Sequence, residues 1–582
     1  MVFLPPPSSP TLPGLPDSIT LEEFINNPKY GRHPIAESKD PFTCGITGLT
    51  RSVAEVAQRT DYLARGIARR LAFNPHEGTE WDRVACLYSL NTIDYIPFAH
   101  AIHRLSGIVT PASAAYSHQE LEHQLRSSGA RALFTCVPLL ENALKAADAA
   151  GIPRERVFLL AVPQVASDPR FETVDDLVEQ GKSLPPLPPL QWVKGQGARQ
   201  TAFLSYSSGT SGLPKAVMIS HLNVIANVMQ NAAVESVARK QLGVKTQTGV
   251  GVLPFSHIYG LTLVALLGHY RGDQIVVLPK FEPATFLNAI QRFKIEQLSI
   301  VPPLLIHIIT HRDTVSKYDL SSVRYVFSGA APLGTEVIEG ILKLYPSWNI
   351  GQGYGMTEAS PGISSTSETD RLVGSSGCLL PGSKAKLIDV DGNQVTAHET
   401  RGELLVQSPS VVLGYLHNEK ANAETFVHHQ DGRWLKTGDE VLVRKSPQGT
   451  EHFVITDRKN KNNRSPRIKT KKGHQVAPAE LEAHLLSHPF VSDCAVIPVP
   501  DPRAGEVPKA FVVQARESEG RSGEEVAAAV CEHVERHKAR HKWLKGGVQF
   551  VDAIPKSPSG KILRRVLKDK EKADRKDTAA KL

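Results

Sequence analysis

Short hydrophobic runs alternate with longer amphipathic segments along the N-terminal part of the chain. The strand-like runs cover residues 83–88, 132–136, 157–162, 201–206, 249–253, 274–278, 297–301 and 323–328. The helix-like segments between them include residues 53–71, 223–232 and 283–293. Apolar runs of this length are typical of buried strands, and their alternation with helices predicts an α/β layer architecture with much parallel sheet.

The pattern changes twice further along the chain. Residues 351–414 are rich in glycine and are predicted to be mostly loops, with strand-like runs at 384–389 and 402–407. Beyond residue 457 a small α+β domain is predicted, with strands at 494–499, 509–514 and 547–552 and helices at 478–486 and 523–537. We therefore expect a large domain of mixed α/β sheets with a β-rich subdomain (1–456), a polar hinge (457–473) and a small mobile domain (474–582).

One uncharged segment is long enough to cross a membrane. Residues 248–270 contain no Asp, Glu, Lys or Arg, and a stretch of this length could span a bilayer. Pro254, Ser256 and His257 interrupt it in the middle. The interruption favours a strand at 249–253, a loop and a buried helix from Leu261, so no transmembrane segment is expected.

The composition indicates a globular chain of more than one domain. It has 582 residues, of which 41% are hydrophobic and 22% are charged, which excludes collagen-like and disordered classes. No secretory signal is visible, and the proline-rich N-terminus is expected to be irregular. The cysteines form no CxxC pair, so we expect buried free thiols in a reducing compartment. They are Cys44, Cys86, Cys136, Cys378, Cys494 and Cys531.

The formal net charge of +8 is unevenly distributed along the sequence. Residues 457–582 contain 27 Lys and Arg against 17 Asp and Glu, whereas residues 1–456 contain 40 against 42. A basic face along the whole chain is therefore excluded, and the cationic tail lacks the interleaved aromatic residues of a nucleic-acid binder. We expect no nucleic-acid partner.

A glycine-rich loop follows the predicted strand at 201–206. It reads Tyr206, Ser207, Ser208, Gly209, Thr210, Ser211, Gly212, Leu213, Pro214 and Lys215. Small residues let backbone N–H groups approach an anion, hydroxyls add donors and the lysine adds positive charge, which suits a polyphosphate. Pro214 before Lys215 excludes a P-loop. A flexible linker is the alternative, but another strand, at 216–219, follows directly.

This loop resembles the phosphate-binding signature of the adenylate-forming, or AMP-binding, superfamily, which includes acyl-CoA synthetases, 4-coumarate–CoA ligases and luciferases. Four further segments resemble that family's motifs, in the same order. They begin at Gln352 (QGYGMTE), Trp434 (WLKTGD), Gln475 (QVAPAELE) and Pro555 (PKSPSGK). The likeness extends from about residue 49 to residue 567. It implies an ATP-dependent carboxylic acid–CoA ligase that forms an acyl-adenylate, with ATP, Mg²⁺ and coenzyme A as cofactors.

The resemblance assigns roles to individual residues. Lys561 would bridge the carboxylate and the α-phosphate, where negative charge develops in the transition state. Glu358 and Thr210 would hold Mg²⁺ through oxygen atoms. Tyr354 would pack on adenine, and Asp439 would accept hydrogen bonds from the ribose hydroxyls. The other residues expected around the nucleotide are Ser207, Ser208, Gly209, Ser211, Gly212, Lys215, Gln352, Gly353, Gly355, Met356, Thr357 and Arg458.

The resemblance also implies an acyl pocket. In the loop at 254–260, His257 is expected near the reacting carbonyl and Tyr259 beside the acyl group. The loop lacks the Asp of amino-acid-activating relatives and is similar to the 4-coumarate–CoA ligase branch, which implies an aryl, arylalkenoic or medium- to long-chain acid. Phe327 and Gly362 differ from plant cinnamate-specific members, which argues against 4-hydroxycinnamate itself. The other expected lining residues are Ser328, Gly329, Ala330, Ala331, Pro332, Gly353 and Pro361.

The predicted hinge departs from the family pattern. By resemblance the small domain rotates after adenylation, and Lys469, Gly473 and Gln475 would then contact CoA. The family reads Asp-Arg-x-Lys-x-x-Ile-Lys-x-Lys-Gly, whereas this chain is longer by about six residues, which a loop can tolerate. Asn460 stands where Lys or Asp is expected. The insertion could bulge harmlessly, impair thioester formation or reflect a wrongly joined exon, and the last two are favoured.

Two other functions remain open beside the ligase. One is an acyl-AMP-forming or luciferase-like enzyme whose CoA step is impaired. The other is a non-catalytic nucleotide-binding homologue, which the set of Thr210, Glu358, Asp439 and Lys561 argues against. The last three residues, Ala580, Lys581 and Leu582, resemble the Ser-Lys-Leu address read by the peroxisomal import receptor, so a peroxisomal location is expected.

Overall fold

A computed structural model describes residues 1–207, 214–458, 468–469, 475–476, 478–501, 505–538, 540–556 and 562–580. The strands are β1 Phe42–Cys44, β2 Thr50–Arg51, β3 Val84–Tyr88, β4 Ile108–Ala112, β5 Ala132–Thr135, β6 Val157–Leu159, β7 Thr201–Ser207, β8 Lys215–Ser220, β9 Thr248–Gly251, β10 Gln274–Val277, β11 Gln297–Ile300, β12 Tyr325–Ser328, β13 Asn349–Gly355, β14 Gly362–Ser365, β15 Cys378–Leu379, β16 Lys384–Ile388, β17 Gly402–Gln407, β18 Gly414–Tyr415, β19 Phe426–His429, β20 Gly432–Lys445, β21 Glu451–Arg458, β22 Ile468–Lys469, β23 Gln475–Val476, β24 Val491–Asp501, β25 Gly505–Gln514 and β26 Val548–Phe550.

Helices cover the sheets and connect their strands. They are α1 Leu21–Asn26, α2 Val53–Leu71, α3 Tyr95–Arg104, α4 His118–Ser128, α5 Leu140–Ala150, α6 Val174–Lys182, α7 Gln196–Arg199, α8 His221–Leu242, α9 Leu267–Tyr270, α10 Pro283–Phe293, α11 Pro302–Thr310, α12 Arg312–Val315, α13 Thr335–Leu344, α14 Glu419–Thr425, α15 Pro478–Leu485, α16 Gly523–His537 and α17 Arg564–Ala580. A π-helical turn, Tyr259–Leu266, leads into α9. Shorter 3-10 turns lie at Pro28–Tyr30, Ile35–Glu37, Glu80–Arg83, Val137–Leu139, Arg154–Arg156, Thr357–Ala359, Arg516–Ser518 and Arg540–Lys542.

Two largely parallel sheets form the centre of the large domain. The first has the strand order β18-β8-β7-β4-β3-β5-β6, and the second has the order β15-β14-β13-β12-β11-β9-β10-β1-β2. In the second sheet, β9, β11, β12 and β13 are parallel neighbours. The carboxyl ends of parallel strands meet at one edge, where α/β proteins typically bind ligands. The segments that follow β9, β12 and β13 therefore come together.

The β-rich subdomain and the small domain follow as the sequence predicted. β16, β17, β20 and β19 form an antiparallel sheet, with β21 paired to β20. In the small domain β24, β25 and β26 form a sheet packed against α15 and α16 through apolar side chains. The predicted fold class, mixed α/β with a β-rich subdomain and a small α+β domain, is confirmed.

Two predicted segments differ from the structure. The glycine-rich stretch expected to be mostly loop contains β13 and β14. Glycine is needed there because a Cβ on Gly353 would lie 2.6 Å from Phe327 Cζ. Helix α8 runs ten residues past the predicted end at residue 232, to Leu242. Its apolar periodicity stops there, but Arg239 near its end pairs with the buried Asp273 at 2.7 Å, which anchors the polar turns.

The proline-rich N-terminus is partly docked rather than wholly irregular. Phe3 is 1% exposed. Its N–H donates to the carbonyl oxygen of Ala385 at 2.8 Å, and its own carbonyl accepts the Ala385 N–H at 3.0 Å. The Phe3 ring packs edge-on against Phe453 and His398. The first residues thus extend the edge of the β-rich subdomain.

The other sequence expectations concern cysteines and membrane spans. The cysteines are free thiols, of which Cys44, Cys86, Cys136 and Cys494 are buried. Cys378 and Cys531 are only half-buried, so the expectation that every thiol is a core residue was wrong for these two. In the ranges given above, the helices are all too short or too polar to cross a bilayer.

Candidate active site

Tyr354 and Asp439 meet although 85 residues separate them. The Tyr354 hydroxyl donates to Asp439 Oδ2 at 2.5 Å. Asp439 is 4% exposed and is held by a local turn, in which its N–H donates to Thr437 Oγ1 at 3.1 Å and Gly438 adopts a left-handed φ of +74°. In the sheet, Arg458 lies opposite Asp439 on β21. The predicted adenine and ribose segments and the start of the hinge are therefore adjacent.

Glu358 and Lys215 are linked through a residue that the sequence analysis did not identify. Tyr415 donates its hydroxyl to Glu358 Oε1 at 2.7 Å, and Glu358 is 6% exposed. The Lys215 ammonium lies 5.0 Å from the centre of the Tyr415 ring, a cation–π contact. Nothing in the local sequence around Tyr415 marks this role, because the contact depends on β18 pairing with β8.

The structure describes the residues at the two ends of the phosphate loop. Ser207 ends β7 and Lys215 begins β8, and the two residues pair across the hairpin. Between them, the predicted nucleotide-binding residues Ser208, Gly209, Thr210, Ser211 and Gly212 lie outside the described residues.

The Gln352 side chain makes hydrogen bonds to two other segments of the protein. Its Oε1 accepts the Leu333 N–H at 2.9 Å, and its Nε2 donates to Ser376 Oγ at 3.1 Å. Gln352 therefore fixes the loop after β12 to β13. Close packing also defines the end of β13, because a Cβ on Gly355 would collide with the Pro361 carbonyl. Met356 and Thr357 follow and are half-buried.

The loop after β9, which carries His257, is held by a buried asparagine. Asn91 accepts the Phe255 N–H at 2.8 Å and donates to the Leu253 carbonyl at 2.8 Å. His257 Nδ1 accepts the Tyr259 N–H at 3.3 Å, so in the neutral ring the proton lies on Nε2. His257 is half-buried and could donate a hydrogen bond through Nε2. Sequence reasoning missed Asn91 because its partners are more than 160 residues away.

Tyr259, Phe327, Gly329 and Gly353 form one wall. The Tyr259 hydroxyl donates to the Phe327 carbonyl at 3.0 Å, and the two rings meet edge-to-face at 6.3 Å. A Cβ on Gly329 would lie 3.1 Å from the Tyr259 ring, so the two residues are in contact. Burial raises the pKa of Tyr259 well above its usual value, so it stays a neutral donor.

The remaining predicted pocket residues differ in their surroundings. Ala330, with a left-handed φ of +66°, and Pro332 are exposed, whereas Ala331 is half-buried and Ser328 is buried. Gly362 is buried against α8, where its N–H donates to Asn227 Oδ1 at 3.0 Å. A side chain at Gly362 would meet Asn227, Asn231 and Leu380. Pro361 is buried beside it.

The predicted small-domain residues are placed only in part. Lys469 on β22 pairs with Gln475 on β23. The loop that carries Lys561 is closed at its base, where the Leu563 N–H donates to the Pro555 carbonyl at 2.8 Å. Among the remaining predictions, Asn460, Gly473, Lys561, Lys581 and Leu582 lie outside the described residues, and Ala580 is the last residue of α17.

Family models match most of the chain. The model described as AMP-binding enzyme matches residues 42–416, and the one described as AMP-binding enzyme C-terminal domain matches residues 480–561. The two matches flank the segment that the sequence analysis identified as the hinge.

Curated relatives match over nearly the full length. Acyl-CoA ligase AKT1 of Alternaria alternata is 41% identical over 576 residues, covering 98% of this chain and 97% of that protein. Acyl-CoA ligase easD of Emericella nidulans is 37% identical and covers 98% of this chain and 100% of that protein. The probable 4-coumarate–CoA ligase 1 of Dictyostelium discoideum is 33% identical, with coverages of 95% and 92%.

A solved structure shares the fold. The anthranilate CoA ligase AuaEII in complex with anthranoyl-AMP superimposes with a TM-score of 0.77 at 22% identity, covering 95% of this chain and 98% of that one. At this identity the likeness concerns the fold alone, and it includes both the large and the small domain.

Proposed function

This chain belongs to the AMP-binding enzyme family and is an ATP-dependent carboxylic acid–CoA ligase, and we propose that its acid is aryl, arylalkenoic or medium- to long-chain. The reaction has two steps. The acid and ATP give acyl-AMP and pyrophosphate, and CoA then displaces AMP to give the thioester. The observation that carries the proposed site is the hydrogen bond between Tyr354 and Asp439, which joins the adenine and ribose segments.

In our proposal the nucleotide lies along Tyr354 and Asp439. The Asp439 carboxylate would accept hydrogen bonds from the ribose hydroxyls, while Tyr354 keeps the carboxylate oriented. Ser207 and Lys215, at the base of the phosphate loop, would face the polyphosphate. Arg458 pairs with Asp439 in the sheet, and by family resemblance it would join these residues at the nucleotide.

Glu358 fits a Mg²⁺ ligand by its chemistry. Mg²⁺ prefers carboxylate oxygens, and a carboxylate has about four acceptor positions, of which Tyr415 occupies one on Oε1. Tyr415 would orient Glu358, and Lys215 would add positive charge on the same side. When bound, Mg²⁺ neutralises phosphate charge as the adenylate forms.

The acid would lie against the wall of Tyr259, Phe327, Gly329 and Gly353. Two aromatic rings and two glycines favour a flat or extended apolar group over a charged one. His257 would donate from Nε2 to the acyl carbonyl oxygen.

The test is pyrophosphate release from a panel of acids, with and without CoA. The panel contains cinnamates, phenylacetate, benzoates and fatty acids of short to long chain. We expect pyrophosphate release with at least one aryl or longer-chain acid and thiol-dependent AMP release. Lys561→Ala should abolish adenylation, whereas Lys545→Ala, at an exposed lysine of the same domain, should not. Activity only with amino acids or acetate would refute the proposed substrate class.

The hinge insertion raises the question of whether the enzyme completes the thioester step or stops at the adenylate. If AMP release does not respond to CoA while pyrophosphate release is normal, the enzyme stops at the adenylate. Deleting residues 460–465 should then restore the thioester step. Sequencing the transcript distinguishes a real insertion from a wrongly joined exon.

We further propose a peroxisomal location. It is supported by Ala580, Lys581 and Leu582, which follow the charged residues of α17. An N-terminal fluorescent fusion of the chain should accumulate in peroxisomes, and deletion of Leu582 should disperse it. A fusion that is dispersed with Leu582 present would contradict the proposal.

A further inference from the structure

Four histidines cluster in the small domain. None of them is among the residues proposed to contact the nucleotide or the acid. His484 lies in α15 and His488 follows that helix, while His533 and His537 lie in α16. Each pair is spaced by four residues. On a helix this spacing puts two side chains on the same face, one turn apart.

The rings of three of these histidines converge. The His484 and His533 rings stack with centroids 4.2 Å apart and planes 8° from parallel. The His537 ring lies 5.0 Å from that of His533 and 5.4 Å from that of His484. One ring nitrogen of each histidine lies within 4.8 Å of one from both others. These separations bring one nitrogen from each of the three rings together at one place on the surface of the small domain.

Each of the three rings also has one nitrogen beside an oxygen. His484 Nε2 and His537 Nδ1 lie 3.3 Å and 2.8 Å from the His533 carbonyl oxygen. His533 Nε2 lies 3.1 Å from Ser487 Oγ, whose own proton goes to the His484 carbonyl at 2.7 Å. An N–H directed at an oxygen leaves the lone pair on the other ring nitrogen. Such outer hydrogen bonds are typical of metal-binding histidines.

The charge of the surroundings is compatible with a cation. The nearby Lys538 ammonium lies 3.7 Å from the Glu480 carboxylate. Glu336 of the large domain places a negative charge near His484, opposite in sign to the positive charge of Lys538. Repulsion of an incoming dication is therefore reduced.

We propose that His484, His533 and His537 form a binding site for a transition-metal dication such as Zn²⁺. Imidazole nitrogen is a preferred ligand of Zn²⁺, Ni²⁺ and Cu²⁺, whereas Mg²⁺ and Ca²⁺ prefer oxygen. His488 supports the site from outside, because its Nδ1 accepts the Phe490 N–H at 3.2 Å and its ring packs 5.1 Å from that of His533.

A second group, Asp370, Cys378 and His452, does not offer the same chemistry. His452 Nδ1 is 2.8 Å from Ser375 Oγ, and its Nε2 is 3.4 Å from Asp370. This group offers one carboxylate, one thiol and one imidazole, whereas the small-domain cluster offers three imidazoles. We treat this group as a comparison and not as a site.

The test measures Zn²⁺ binding to the untagged full chain after chelator treatment. Excess Mg²⁺ blocks oxygen-rich sites, and a chromophoric chelator reports the free Zn²⁺. We expect one bound equivalent, with affinity weakened more than about tenfold in both His533→Gln and His537→Gln. The matched control is the double variant His307→Gln, His311→Gln. It removes another stacked pair spaced by four residues, for which the described residues supply no third metal-ligating side chain.

Three results would overturn the proposal. The first is an affinity weaker than about 10 µM in the unmodified chain. The second is unchanged binding in both His533→Gln and His537→Gln, and the third is loss of the bound equivalent in Cys378→Ser. Melting temperatures in chelator show whether each variant is folded, so a folding defect is not mistaken for a lost ligand. A Zn²⁺-dependent rise in the melting temperature should occur in the unmodified chain and the control, and not in the two cluster variants.

Discussion

The hydrogen bond from Tyr354 to Asp439 gives a sharp test of the nucleotide site. Tyr354→Phe removes one hydroxyl and keeps the ring that is proposed to pack on adenine. The lost bond is 2.5 Å long and goes to a carboxylate that is 4% exposed. A hydrogen bond to a charged group contributes about 1.5–3 kcal/mol. Since each 1.36 kcal/mol is a factor of ten in rate, we expect kcat/KM for ATP to fall roughly 10- to 100-fold.

The assay is pyrophosphate release with the best acid from the panel, measured against ATP and against the acid separately. KM for the acid at saturating ATP should change little, because Tyr354 points to Asp439 and not to the wall of Tyr259 and Phe327. The control is Tyr270→Phe, which removes a hydroxyl bonded to the Tyr30 carbonyl at 2.9 Å. That variant should leave kcat/KM for ATP unchanged.

A double-mutant cycle with Asp439→Asn measures the interaction energy between Tyr354 and Asp439. If the tyrosine acts through the carboxylate, Tyr354→Phe should have a much smaller effect in the Asp439→Asn background, with a coupling energy of about 0.5–3 kcal/mol. Equal effects of Tyr354→Phe in both backgrounds would refute the reasoning. So would a Tyr354→Phe enzyme with normal kcat/KM for ATP.

Three further predictions concern stability and the acid site. Phe3→Ala should lower the free energy of unfolding by about 3–5 kcal/mol in denaturant titrations, while Leu4→Ala, at a residue 55% exposed, should not. Burial lowers the pKa of His103 to about 4 and that of His269 to about 3. The unfolded chain then binds more protons below pH 6.5, so unfolding at pH 5 should be easier by about 2 kcal/mol for each histidine than at pH 7. Asn91→Ala leaves a buried N–H and carbonyl unpaired, so kcat/KM for the acid should fall while KM for ATP holds.

The strongest local patterns predicted the elements most accurately. Helix α2 was predicted at its observed bounds, because its apolar face repeats regularly and Ser52 and Glu55 form a capping box at its start. The strand β17 was likewise predicted at its observed bounds. In both elements the residues that mark the bounds lie in or beside the segment itself, although β17 is held by pairing with β16 and β20.

Residues whose role depends on distant contacts could not be found in this way. Asn91, Tyr415 and Phe3 look ordinary in sequence, and their partners lie in segments far away along the chain. The strand β13 was missed for a related reason. Its glycines lower strand propensity, but close neighbours require them. The Phe327 ring approaches Gly353, and the Pro361 carbonyl approaches Gly355.

Two acidic residues of the proposed site are oriented in the same way, each by a tyrosine hydroxyl. Asp439 and Glu358 are both buried carboxylates, and each accepts a tyrosine hydroxyl, from Tyr354 and Tyr415 respectively. A neutral donor orients a carboxylate without cancelling its charge, whereas a lysine or arginine partner would neutralise it. A ribose-binding acceptor and a Mg²⁺ ligand both use carboxylate oxygens. Lys215, which directly follows the phosphate loop in sequence, contacts the ring of Tyr415.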